Sequence, residues 1–490
     1  MQMTLDVHGK HYNRSMLVFV LMVGTFCTTL NQTLLATAFP TLMTSLNITT
    51  STVQWLSTGF MLVNGIMIPV SAYLIGRIPT KALYMSAAII FLAGTILAFT
   101  AASFRVLLAA RLIQAIGVGV TMPLLQTIML TIFPPEKRGS AMGMVGLVIG
   151  LAPAIGPALS GYIIEAYEWR YLFGMIIPIM AGVIFLSIFF MRDIIATKKS
   201  KIDVLSVILS TVGFGMMLYG FSSVGNYGWD SPSVYALISL GILLIVFFAL
   251  RQIKMDTPFL DLSVYKTREF RLATILSSMS SMAMIGAGMV LPLYLQTVRG
   301  DTAFQSGLSL LPGALMLGMI SPIAGRIFDE RGGRGLSIGG FFLLAIGTLP
   351  FVFLTSDTPK LYIIILYGVR MFGIAMTMMS ITTNGMNALP RHLIGHGTAV
   401  NNTVRQVASS IFTAIMISVL TNQTNAQMPD ESLRESNPIV YGQKALDAIL
   451  HGYHWAFFLA AAIAFIGVIL AFFIRDANKQ KIKEMGGGRK

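Results

Sequence analysis

Three arginines, Arg111, Arg370 and Arg405, stand inside long apolar stretches of this chain. A charge in hydrocarbon costs several kcal/mol unless it meets water, a partner or a ligand, so each marks a place where something polar must happen. At about 1.5 Å rise per residue, Arg370 lies roughly 15 Å from Lys360, near a membrane midplane. Arg111 and Arg405 are shallower, and a reach to the membrane surface stays open for both. The amides Asn31, Gln32, Gln54, Asn64, Gln114, Asn402 and Gln406 occupy similar stretches, as do Gln126 and Asn384. An amide in hydrocarbon needs a partner or a ligand. The first seven, with the three arginines, are the expected substrate contacts. Trp55, Tyr73, Met122, Phe372 and Met376 are softer candidates that could equally face lipid.

The carboxylates are placed differently. All 20 acidic residues fall in termini, loops or helix ends. A proton-coupled transporter needs a titratable group that proton and substrate can share, and the nearest substitute is Glu165, at the outer end of an apolar run. It reads either as the coupling group or as a solvated helix end; Glu168 and Asp230 are weaker alternatives. Buried guanidinium groups without a buried acid predict a cavity of positive potential, suited to anionic or neutral amphipathic compounds.

Other chemistry is excluded or bland. Cys27 is the single cysteine, so it can form neither an intramolecular disulfide nor a cysteine metal cluster. No Gly-x4-Gly-Lys-Ser/Thr loop is present to bind a nucleoside triphosphate. His392 with His396, and His451 with His454, lie in loops and read as solvated or pH-sensing groups rather than metal ligands. Neither an enzyme nor a cofactor or metal protein is expected.

The elements that position these residues are membrane helices. With 55% hydrophobic residues, 11% charged residues and a mean hydropathy of +0.75, the chain is too apolar for a soluble protein. Apolar runs of crossing length fall near 16–38, 52–75, 82–101, 105–128, 140–164, 171–191 and 204–221. Seven more lie near 234–250, 272–295, 306–326, 336–354, 361–385, 398–420 and 455–474. The first run is too long for a signal-peptide core and reads as a retained helix. The total is fourteen, so both termini share one side. If that side is the cytoplasm, 25 of the 34 Lys and Arg residues fall inside and 6 outside, as the positive-inside rule requires. The inside set includes Lys198, Lys199, Lys201, Lys479, Lys481, Lys483, Arg489 and Lys490. Orientation therefore accounts for the net charge of +14, and nucleic-acid binding is unnecessary. The polar segment 421–454 reads as a surface loop or hairpin on the outer side.

The sequence also repeats. Arg138-Gly139-Ser140-Ala141 returns as Gly397-Thr398-Ala399 at an offset of 258, Arg111 returns as Arg370 at 259, and Gly76-Arg77-Ile78 as Gly325-Arg326-Ile327 at 249. Two six-helix bundles with two inserted helices make up the fourteen. The expected division is 1–200 for the N-terminal bundle, 201–255 for the inserted helices and 256–490 for the C-terminal bundle. Parallel halves about the membrane normal are the architecture of a rocking secondary transporter; a receptor or channel fits this pattern poorly.

The motif Arg111-Leu-Ile-Gln114-Ala-Ile-Gly117-Val-Gly119 resembles the fourth-helix signature of the major facilitator superfamily, and Gly146 to Gly161, GLVIGLAPAIGPALSG, resembles its antiporter motif. Asn401-Asn402-Thr-Val-Arg405-Gln406 and Gly325-Arg-Ile-Phe-Asp329-Glu-Arg331-Gly332 are similar to a late run and a gating loop of the fourteen-helix drug:proton antiporters of the quaternary-ammonium-resistance type. The resemblance covers essentially the whole chain. It implies an all-α major facilitator fold and a monomeric, multi-pass exporter in a bacterial plasma (inner) membrane that confers antibiotic resistance. Such a protein expels small amphipathic compounds by alternating access in exchange for protons. A dedicated exporter or flippase of one endogenous anionic amphiphile, a fatty acid, bile acid or lipid, is the alternative.

Gly150, Pro153, Gly156 and Pro157 are the expected hinge, with Arg77, Asp329 and Arg331 at the gates. Two departures from the family pattern stand out. Asn31 occupies the place where relatives often carry an Asp, and Gly76 and Pro79 replace the Asp and Gly of the first-half loop.

Overall fold

The computed structural model describes residues 3–35, 38–197, 203–255 and 258–476. The eight basic residues at 198–201 and 479–490 named above lie outside the described residues, as do the expected boundaries at 200 and 256.

A short antiparallel hairpin, β1 (Met3–Leu5) and β2 (His11–Asn13), precedes the helices. The first set is α1 (Arg14–Leu34), α2 (Phe39–Leu46), α3 (Thr50–Arg77), α4 (Thr80–Phe99), α5 (Phe104–Ile132), α6 (Arg138–Ala166), α7 (Tyr171–Gly174) and α8 (Ile176–Phe190). There follow α9 (Val204–Tyr227) and α10 (Pro232–Lys254). The last set is α11 (Arg268–Thr297), α12 (Ala303–Arg331), α13 (Gly333–Thr348), α14 (Lys360–Asn387), α15 (Ile394–Gln427), α16 (Ser432–Ser436) and α17 (Pro438–Ala471). Thirteen stretches among the described residues are long and apolar enough to cross a membrane, α7 and α8 together forming one of them. The 29-residue α6 completes the fourteen.

The face at which α1 begins is called the basic face here, and the opposite one the far face. Helices α9 and α10 pack on each other, and α9 also rests against α3 and α15. Asp203 starts α9 by accepting the Ser206 N–H, and it forms a two-pronged ion pair with Arg251 of α10 at 3.0 Å. That guanidinium holds the Asp203 carboxyl below the usual carboxylate range.

The segment 421–454 is not a loop. Helix α15 runs on to Gln427, and α17 starts at Pro438, where the Asn437 side chain accepts the Val440 N–H. Hydropathy stops where polar residues begin, but helix geometry does not. The two helices cross closely at Gly452, where an added Cβ would lie 2.2 Å from the Thr424 hydroxyl.

The halves share a further device, visible in sequence as Phe189-Phe190-Met191-Arg192-Asp193 and Phe472-Phe473-Ile474-Arg475-Asp476. Asp193 accepts the Lys81 N–H at 3.0 Å at the start of α4. Asp476 accepts those of Gly333 and Arg334 at 2.7 and 3.0 Å at the start of α13. Each carboxylate thus satisfies orphan donors at the positive end of the corresponding helix. Since α3 and α12 end at Arg77 and Arg331, while α4 and α13 begin at Thr80 and Gly333, the local offset between halves is 253 or 254 residues. Asp329 is therefore the counterpart of Gly76. The Gly-Arg-Ile echo at 249 is one helical turn out of register.

Candidate functional site

Helices α6 and α12 form the tightest seam between the two sets. Gly139, Gly143, Gly146 and Gly150 recur every three or four residues, which lines them along one helix face. They meet Gly325, Pro322, Ser321 and Gly318 of α12, and a Cβ added at Gly143 or Gly150 would lie 2.6 Å from Ser321 O or Gly318 N. Only a missing side chain lets the backbones come this near. The other side of α6 packs on α1: Gly156 touches Thr33, and the Ser160 hydroxyl donates to Leu34 O at 2.6 Å. Pro153 is exposed, and the Pro157 side chain lies outside the described residues.

At the basic-face end of this seam Asp329 meets the start of α6. Its carboxylate accepts the Gly139 N–H at 2.7 Å, the Ser140 N–H at 2.8 Å and the Ser140 hydroxyl at 2.5 Å. Beside it, Arg138 donates to Asn387 of α14 at 2.9 Å. Arg331 is exposed at the end of α12, and Arg77 is half-buried, donating to Tyr73 and stacking on its ring at 5.5 Å.

The three arginines have distinct surroundings, and the structure corrects part of what their positions implied. Arg111 does not reach a surface: it is 0% exposed. Its guanidinium donates to the side chain and carbonyl of Asn31, to Gln114 Oε1 and to Leu56 O, and it lies 4.1 Å over the Phe60 ring. Gln114 in turn donates to Thr95 at 2.9 Å. Asn31, Arg111 and Gln114 thereby tie α1, α3, α4 and α5 together inside the first set, with no exposed face for a substrate. Arg370, also 0% exposed, does the same in the last set by donating to Ala283 O and Thr348 Oγ1.

Arg111 and Arg370 each keep one buried nitrogen unpartnered, Nη2 and Nη1 respectively. Arg405 goes further: 9% exposed, so it too is not turned out to a membrane surface, it has both Nε and Nη1 buried without a hydrogen-bond partner. It stands on α15 between the two sets. One turn before it, Asn401 accepts from Ser277 of α11 at 2.7 Å, and Asn402 donates to Gln126 of α5 at 2.8 Å. The next residue, Gln406, is half-buried against Gly65 of α3. Eleven residues separate Arg405 from the start of α15, a depth of about 16 Å. Among the described residues no Asp or Glu is buried within a crossing helix; the buried Asp301 side chain, in the turn between α11 and α12, is paired with Lys360 at 2.6 Å.

The remaining candidates are scattered. Gln32 and Asn64 are half-buried on α1 and α3, and Gln54 is exposed near the start of α3. Glu165 is exposed at the far-face end of α6, one turn beyond Gly161, which faces Phe304 of α12. Sequence reasoning passed over Asp193 and Asp476, although the repeated Phe-Phe-x-Arg-Asp signals both.

Comparison with known proteins agrees with this geometry. The Major Facilitator Superfamily model matches residues 21–413. The MFS-type transporter YcnB of Bacillus subtilis (strain 168) is 49% identical over 477 residues, covering 97% of this chain and 98% of that protein. The lincomycin resistance protein LmrB of the same organism is 40% identical over 95% of this chain and 97% of its own length. Among solved structures, the crystal structure of the human organic anion transporter MFSD10 (TETRAN) superposes with a TM-score of 0.63 at 14% identity, covering 93% of this chain and 99% of that one. The chain belongs to the Major Facilitator Superfamily, a multi-pass membrane transporter in the branch that also holds LmrB.

Proposed function

We propose that this protein is a secondary active multidrug exporter that carries amphipathic, neutral or anionic compounds out of a bacterial cell by alternating access, in exchange for protons. The α6–α12 seam carries this reading. Two glycine-lined backbones touch, and a single carboxylate, Asp329, closes their basic-face end by hydrogen bonds to a helix start. Such a contact is strong when formed and breaks as a unit, which a two-state gate requires.

In this reading the basic face is cytoplasmic and both termini lie inside. Residues 1–200 and 256–490 form the two rocking halves, and 201–255 supplies the inserted pair. Gly150, Gly156 and their prolines let α6 slide on its neighbours. The substrate path runs between α3 and α5 on one side and α11 and α15 on the other, past Asn402, Arg405 and Gln406. The absence of a buried acid from the crossing helices among the described residues supports neutral or anionic cargo. Glu165, at the outer rim of the seam, is the proton acceptor. The names of LmrB and its kind support a drug-exporting role.

Efflux of a panel of neutral and anionic dyes from cells expressing the protein, with and without a protonophore, tests the proposal. Saturable efflux of several dyes that the protonophore stops supports it. Efflux of one endogenous amphiphile alone would favour the dedicated exporter, and non-saturating ion current a channel.

A further inference from the structure

Around Arg405 the structure assembles donors without acceptors. Asn401 uses its carbonyl oxygen on Ser277, and its Nδ2 is buried without a partner. Gln126 uses its carbonyl oxygen on Asn402, and its Nε2 is likewise buried and unpartnered. With the Nε and Nη1 of Arg405, that makes four buried donor atoms lacking acceptors. Helix geometry brings them together. Arg405 follows Asn401 by four residues and Asn402 by three, so the three side chains share one face. Helical side chains lean toward the helix N-terminus, which tilts the Arg405 stem back over Asn401 and Asn402, toward Gln126.

Guanidinium and amide NH2 groups can only donate. Each unmet donor costs free energy in a dry interior, and the cluster carries one positive charge while, among the described residues, no crossing helix buries a carboxylate to balance it and Asp301 is paired with Lys360. Among the described residues the Nε and Nη1 of Arg405 have no acceptor, and a ligand group that only accepts and is negatively charged complements them.

We propose that Arg405, Asn401 and Gln126 form a head-group subsite for a compact monoanion, the carboxylate or sulfonate of an amphiphilic substrate. The proposal rests on the export reading above and narrows its cargo. It also gives Gln126 two jobs, since the same side chain ties α5 to Asn402 of α15 when the basic face is closed.

The test uses the full-length protein in nanodiscs, with radiolabelled decanoate and decanamide as probes and empty nanodiscs subtracted. One charge-assisted hydrogen-bonded contact separates the two ligands, so wild type should bind decanoate at least about tenfold more tightly than decanamide. Arg405→Gln should bring that ratio close to one by weakening decanoate binding more than decanamide binding. A ratio near one in the wild type, or one unmoved by Arg405→Gln, overturns the proposal. If Arg405→Gln loses both ligands, Arg405→Lys decides: a retained preference for decanoate supports the subsite, and its loss with decanamide still bound overturns it. Replacing chloride with gluconate should change decanoate affinity less than about twofold; complete displacement by chloride would assign the site to an inorganic ion and overturn the proposal. Dye efflux separates this result from the export reading. A neutral dye still expelled by Arg405→Gln leaves export standing whatever the ratio, and a wild type that expels no dye defeats export without altering the ratio.

Discussion

Ser140, the third residue of α6, gives both its backbone N–H and its hydroxyl to one carboxylate oxygen of Asp329, 189 residues away at the end of α12. The relationship has no mirror image in the other half. Gly76, the counterpart of Asp329 on α3, carries no side chain, and a Cβ there would meet nothing within 4 Å. Among the described residues, the carboxylate that reaches from one half to a helix start of the other on the basic face therefore comes from the second half alone.

Asp329→Asn keeps one acceptor oxygen but removes the charge facing the positive end of α6. A charge-assisted hydrogen bond is worth about 1.5–3 kcal/mol, so turnover should fall on the order of tenfold while substrate binding stays near wild type. Transport rates in vesicles beside equilibrium binding in detergent check this, and unchanged turnover counts against the gate.

The seam and the open position can be compared by adding bulk. Gly150→Val places its first added atom 2.6 Å from the Gly318 nitrogen, a backbone atom that cannot move aside. Transport should be lost and the melting temperature in detergent lowered. Gly76→Ala should behave as wild type in both assays. Equal tolerance at the two positions would mean that the seam is not a moving contact.

Arg111 is held by dipoles and the Phe60 ring, with Asn31 where a carboxylate would give a counter-charge. Arg111→Ala leaves several neutral acceptors buried and unmet, each at a cost of about 1–3 kcal/mol. It should lower thermal stability sharply, whereas Asn31→Asp should keep or raise it. Thermal unfolding followed by tryptophan fluorescence distinguishes these, and a neutral Arg111→Ala would show that the network is dispensable.

Much of this arrangement is written in the sequence. Apolar runs mark the crossings, and the glycine spacing from Gly139 to Gly150 marks a close-packed face. The depth of Arg370 is also legible, but Arg405, read as shallower, lies about 16 Å along α15 because that helix starts at Ile394, and the direction of the arginines is not legible. Whether Arg111 faces its own bundle and Arg405 the gap between bundles depends on which neighbour lies at each rotational phase, and only the packed structure fixes that. Hydropathy likewise ended α15 too early and began α17 too late, because outside the membrane a helix persists through caps such as Asn437 rather than through apolar residues. The place of Asp329 at the end of α12 was legible, but its partner Ser140 was not, since nothing local joins residues on separate helices.

Gradient-driven substrate movement in proteoliposomes examines the central claim most directly. With an acidic lumen imposed, the wild type should take up an amphipathic anion above its passive distribution, which for a weak acid runs the opposite way. A protonophore should abolish the uptake, and Glu165→Gln should remove its dependence on the gradient. Uptake that persists undiminished with the protonophore present would contradict proton-coupled export, and undiminished gradient dependence in Glu165→Gln would remove that residue from the coupling.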